Sequence, residues 1–225
     1  MQNMKDGKKF LIGGVSFIIL GIIMTIVLGK TVSDLVWSFR SNSGIYMSIG
    51  ICATMLLQTL IPFILVICGI SIIRKRVKLF SAVIIVAGVL YLFYYSVQPL
   101  ATIAILSNTV GVQGWFSFFV LQNHFGFLYI SVFLQSMSFI MLGIVALLKN
   151  KNIKLACIPT IMTLIAIILL IVFCLISDFD VNPISYFTLT SNYPIPLYII
   201  ENIVKVIGFV FVGLSFCNAD TKGNE

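Results

Sequence analysis

Leu155–Ile176 reads LACIPTIMTLIAIILLIVFCLI, a run of 22 residues without one charged side chain. At 1.5 Å of rise per helical residue, about 20 apolar residues cross the roughly 30 Å hydrocarbon core of a bilayer. A single strand in lipid would leave its backbone groups unpaired, and no alternating barrel pattern accompanies the run, so it is expected to be a transmembrane helix. Five further stretches meet the same length, approximately Phe10–Leu28, Met47–Ile73, Leu79–Leu106, Phe125–Leu148 and Leu197–Cys217. The second and third of the six runs are longer than a crossing needs and are expected to tilt or protrude. Pro62 and Pro99 are candidate kinks, because proline removes a backbone donor and crowds the preceding turn. The expected fold is all-α, a polytopic integral membrane protein of six transmembrane helices forming one domain over 1–225.

Composition points the same way. Of the 225 residues 60% are hydrophobic and 9% charged, and the mean hydropathy is +1.14. A soluble domain is about 25% charged, and so few charges could not solvate the surface of a 25.0 kDa globule. Soluble enzyme, nucleic-acid binder, secreted disulfide scaffold and disordered chain are all disfavoured. The first run has Lys8 and Lys9 before it and a tolerable cleavage site at Val27-Leu28-Gly29. Its apolar core nevertheless exceeds the usual 7–15 residues of a signal peptide, so it is expected to be a retained span.

The net charge of +7 resolves into topology. Lys5, Lys8, Lys9, the cluster Arg74, Lys75, Arg76 and Lys78, then Lys149, Lys151, Lys154 and Lys222 all fall in one set of compartments. Only Lys30 and Arg40 fall in the other, and Lys205 lies within a span. Basic residues accumulate in cytoplasmic loops. Both termini are therefore expected in the cytoplasm, in a cell membrane, with three hairpins dipping outward. Attraction to anionic inner-leaflet lipids accounts for the basic loops, and no nucleic-acid partner is implied. The spans beginning Lys9-Phe10-Leu11, Lys78-Leu79-Phe80 and Lys154-Leu155-Ala156 hint at a threefold hairpin repeat.

Glycines at 13, 14, 21, 69, 88, 143, 208 and 213 fall mostly in the cytoplasmic half of the spans or near their middle. Small residues allow close helix approach where lipid removes the hydrophobic drive, so that half is expected to pack tightly. Polar residues lean outward: Thr54 and Gln58, Ser96 and Gln98, Gln135 and Ser136, then Glu201, Asn202 and Lys205. Such groups are costly in hydrocarbon and normally face a bundle interior or a wet cavity. Together the two trends suggest a bundle splayed around an outward polar vestibule.

Glu201 and Lys205 stand four apart on one helix face in the favourable order, and Gly208, Val212 and Ser215 continue that face. The pair either contacts a substrate or ion, or neutralises itself while Lys205 snorkels to the headgroups. The expected ligand-binding residues are Glu201, Lys205, Asn202, Gln58, Gln98 and Gln135, with no catalytic or metal-ligating residue and no cofactor. Asp178-Phe179-Asp180-Val181-Asn182 has the spacing that opens a calcium loop. Pro183 and Leu189 replace the glycine and the bidentate glutamate such a loop needs, so loop solvation is the preferred role. His124 has no partner set for a metal or a nucleophile. Gly114–Leu121 is too short to span and reads as an interfacial, re-entrant or lid-like piece with Trp115 at headgroup level. Cys52, Cys68, Cys157, Cys174 and Cys217 lie in apolar stretches without a paired spacing and read as packing residues.

No metalloprotease, nucleophile-elbow, phosphate-loop or dinucleotide fingerprint is present, and an enzyme is not expected. The first functional expectation is a small transport-type protein, as the membrane or substrate-binding subunit of a larger permease with a membrane or ATPase partner, taking a small-molecule or ion ligand. The alternative is a non-enzymatic accessory, immunity or sensor protein. It would touch its partner through helix faces such as Gly14, Gly21 and Thr25.

Overall fold

The first apolar run sits inside a helix far longer than one bilayer crossing: α1 spans Gln2–Ser41, 40 residues. The polar stretch 29–41, expected as an outer loop, is helical. Hydropathy marks where lipid ends, whereas helicity follows backbone propensity, and after Gly29 nothing there breaks a helix. The chain continues as α2 (Ile45–Ile73), α3 (Val77–Phe93), α4 (Phe125–Leu147), α5 (Ile153–Ile176) and α6 (Ile195–Cys217). The computed structural model describes the backbone of residues 2–41, 45–93, 125–148, 153–176 and 195–217. It describes the side chains of 7–26, 59–93, 127, 130–148, 153–172, 176 and 200–216. Among the described residues there are six helices and no strand.

Three of these helices are long and apolar enough to cross a bilayer: Gly7–Ile26, Ile130–Leu147 and Ile153–Val172, with mean hydropathies of 2.2, 2.1 and 2.9. Thr59–Ile73 and Val77–Phe93 are shorter apolar helical stretches. The protein is therefore a helical membrane protein. The third of these spans shares residues 155–172 with the opening run, and its Ile161, Leu164, Ile165, Ile168 and Ile171 are exposed, an apolar band that fits hydrocarbon. Cys157 is also exposed on this helix and Cys68 is buried in α2, so packing in the interior describes only the second.

Glycine contacts set how the helices meet. A Cβ on Gly14 would lie 2.7 Å from the Gly69 carbonyl oxygen, and one on Gly21 would lie 2.7 Å from that of Pro62. Residue 14 facing 69 and 21 facing 62 makes α1 and α2 antiparallel, with their backbones in direct contact. Gly88 meets Ser136 and Ile140, while Gly143 meets Ser81 and Ile84, so α3 and α4 are antiparallel too. The Ser81 hydroxyl reinforces that contact by donating to the Gly143 carbonyl. Gly13 against Val212 and Phe10 against Phe216 run α6 antiparallel to α1. Helix α5 joins α4 through Ser131 Oγ, which donates to the Ala166 carbonyl at 2.7 Å. These close approaches agree with the tight packing expected from the glycines.

The α2–α3 connection shows how a short basic turn closes a hairpin. Arg76 N–H donates to the Ser71 carbonyl at 2.8 Å and Lys75 N–H to that of Ile72 at 2.9 Å. This is the paired closure of a Schellman motif. Lys75 takes the left-handed conformation the motif requires, with φ at 55°, where glycine is the usual residue. Its ammonium lies 5.9 Å from the Phe10 ring centre, which ties the turn to the start of α1.

Candidate ligand site at the centre of the bundle

Glu201 and Lys205 are one turn apart on α6, and both point inward. Lys205 is 1% exposed and Glu201 4%, so the ammonium does not snorkel. The Lys205 Nζ lies 3.4 Å from Glu201 Oε1 and donates to Gln135 Oε1 of α4 at 3.0 Å. Lys205 and Gln135 each stand 12 residues before the last residue of their helix, Cys217 and Leu147, about 18 Å along the axis. Lys205 thus sits near the middle of α6 (Ile195–Cys217), with Glu201 one turn nearer its N-terminal end. Removing an ammonium this far from water is tolerable only with partners that complete its hydrogen bonds.

Two aromatic residues complete the surroundings, and neither was anticipated. Tyr91 of α3 donates its hydroxyl to Gln135 Oε1 at 3.3 Å, and its ring centre lies 5.7 Å from Lys205 Nζ. The Phe139 ring centre, one turn after Gln135 on α4, lies 5.9 Å from the same nitrogen. Both distances suit a cation facing a ring. An available sequence signal was the helical register: Phe80, Ile84, Ala87 and Tyr91 repeat at helix spacing and are all buried.

Below the cluster, toward the Arg74–Lys78 end, rings form a continuous column. Tyr91 meets Phe139 at 5.8 Å, Phe139 meets Phe209 at 5.1 Å, and Phe209 stacks on Phe17 at 5.9 Å. Phe17 then meets Phe80 at 5.8 Å, Phe80 meets Phe216 at 5.9 Å, and Phe216 meets Phe10 at 6.2 Å. Edge-to-face and offset contacts at such spacings are favourable and exclude water. One side of the polar cluster is therefore closed by packed aromatic side chains.

Of the six expected site residues, the structure brings three into one network: Glu201, Lys205 and Gln135. Asn202 is buried beside them on α6. The side chain of Gln58 and the whole of Gln98 lie outside the described residues, as do Ser96, Pro99, Trp115, His124 and the Asp178–Asn182 segment. Gly208, Val212 and Ser215, read as continuing the Glu201–Lys205 face, are buried.

No protein-family model, curated protein or solved structure matches this chain.

The chemistry of the site rests on its own residues. A carboxylate, an amide oxygen and two ring faces converge on one ammonium, with a phenol fixing the amide. Such a cluster can hold a cation and can exchange hydrogen-bond partners. Among the described residues no three His, Cys, Asp or Glu side chains come together.

Proposed function

We propose that the protein is a small transport-type component of the cell membrane with six spans arranged as three outward hairpins and both termini in the cytoplasm. Glu201, Lys205 and Gln135 form the centre of its ligand site, with Asn202 beside them on α6. The carrying observation is the burial of the Lys205–Glu201 pair inside the bundle, tied to a second helix by Gln135. A pair meant only to neutralise itself has no need of the bundle centre, where desolvation costs most. The ring column on the Arg74–Lys78 side supports an opening on the opposite side. No ATP-binding motif occurs in the sequence, so the energy comes from an ion gradient or a partner ATPase subunit.

The alternative accessory reading assigned Gly14, Gly21 and Thr25 to a partner surface. Gly14 and Gly21 are instead occupied by Gly69 and Pro62 of this same chain, which favours the transport reading.

The test compares the small-molecule and metal-ion content of cells expressing wild type, Glu201→Gln or Lys205→Met at equal membrane levels, measured by mass spectrometry. At least one solute is expected to change with wild type and to return to the empty-vector level in both variants. No solute changing with wild type, or the same change in both variants, overturns the proposal.

A further inference from the structure

Four described groups that face Lys205 Nζ share one electrostatic sign. Glu201 Oε1 lies at 3.4 Å and Gln135 Oε1 at 3.0 Å. The rings of Tyr91 and Phe139 lie at 5.7 and 5.9 Å. An ammonium has only donors, so the Gln135 atom facing it is the amide oxygen, and the Tyr91 hydroxyl donates to that same oxygen at 3.3 Å. A carboxylate, an oriented amide oxygen and two ring faces all stabilise positive charge and repel negative charge. An anion at this point would face the repulsion of the carboxylate and of the negative ring faces. A lysine-containing site is therefore built for a cation, and its own lysine is the occupant.

We infer that the transport site takes an organic ammonium ion, which enters the Glu201–Gln135–Tyr91–Phe139 cage by displacing the tethered ammonium of Lys205. This inference rests on the transport reading for its biological setting and names that reading's substrate class. Among the described residues the cage holds one carboxylate, Glu201, which balances one cation. With no ligand bound, Lys205 balances Glu201 and the empty site is neutral. With an alkylammonium bound, the four-carbon stem of Lys205 carries its charge away from the cage. The ring faces select a carbon-bearing ammonium over a bare alkali ion, because they are poor substitutes for the hydration shell of potassium yet pack well against alkyl groups.

The test uses the purified full-length protein, Lys205→Ala, which removes the tethered occupant, and Glu201→Gln/Lys205→Ala, which removes the carboxylate as well. Ethylammonium chloride is the probe, with potassium chloride and sodium propionate at equal ionic strength as the alkali-cation and anion arms. Ethylammonium at about a hundredfold over its Kd is expected to raise the Tm of Lys205→Ala by roughly 5–10 °C. The other two salts are expected to leave it unmoved, and the double variant is expected to respond to none of the three. An equal response to potassium, a response to propionate, or no response to ethylammonium overturns the inference. Should Lys205→Ala accumulate only when ethylammonium is present during growth and purification, the inference is supported. Should it fail to accumulate even then while the double variant accumulates, the inference is overturned. Rescue without any wild-type change in cell solutes retains the ammonium site and removes transport. A solute change without rescue does the reverse.

Discussion

Lys205 keeps its charge inside the bundle because Glu201 Oε1 at 3.4 Å and Gln135 Oε1 at 3.0 Å take the place of water around it. Its spacing from Glu201 is visible in the chain because four residues on a helix always share a face. Its partner Gln135 lies 70 residues away and was legible only as a polar residue stranded in a span. Tyr91 and Phe139 were not legible as site residues, because aromatic side chains are the background of an apolar helix and nothing local separates a ring facing lipid from one facing an ammonium. The energetics follow from burial. Removing one member of a buried ion pair leaves the other charge uncompensated, at a cost of about 3–5 kcal/mol, whereas replacing both charges by neutral groups is often close to neutral. Lys205→Met alone is therefore expected to destabilise the protein by that amount. Glu201→Gln/Lys205→Met is expected to recover most of the loss, as measured by denaturant unfolding in detergent. A double variant as unstable as the sum of its singles would mean that the two side chains do not act as a pair.

At the scale of the helices, hydropathy located the apolar segments well, because bilayer thickness dictates the length of an apolar run. It failed over 29–41, where polar residues belong to the same helix as the run before them. The glycines carried finer information. Gly14 and Gly69 allow the backbones of α1 and α2 to touch, and a Cβ at position 69 would meet the Gly14 carbonyl and the Ile18 main chain. Backbone cannot rotate aside as a side chain can, so the helices must separate. Gly69→Ala is expected to lower stability by about 1–3 kcal/mol, the usual cost of overpacking, read from the melting temperature in detergent. Gly7, with nothing near its Cβ position, serves as the control, and Gly7→Ala is expected to be close to neutral. Equal effects at the two positions would remove close approach as the reason for Gly69.

For the whole molecule, the surplus positive charge was legible as a record of orientation, since eleven of the fourteen Lys and Arg residues cluster on one side of the expected topology. How α3, α4 and α6 meet at one polar point was not, because hydropathy cannot rank the neighbours of a helix. The aromatic column closes the polar cluster toward the basic end, so the proposed transport path must reach Lys205 from the opposite side. That path is most directly tested with Lys205→Cys, the five native cysteines being replaced by alanine. Membrane-impermeant trimethylammonium-ethyl methanethiosulfonate is applied outside intact cells. Modification within minutes, detected as loss of later labelling by a maleimide after solubilisation, is the expected result. A thiol that stays unmodified from outside over hours, while a cysteine placed in an outer loop reacts fully, would contradict an outward-opening site at Lys205.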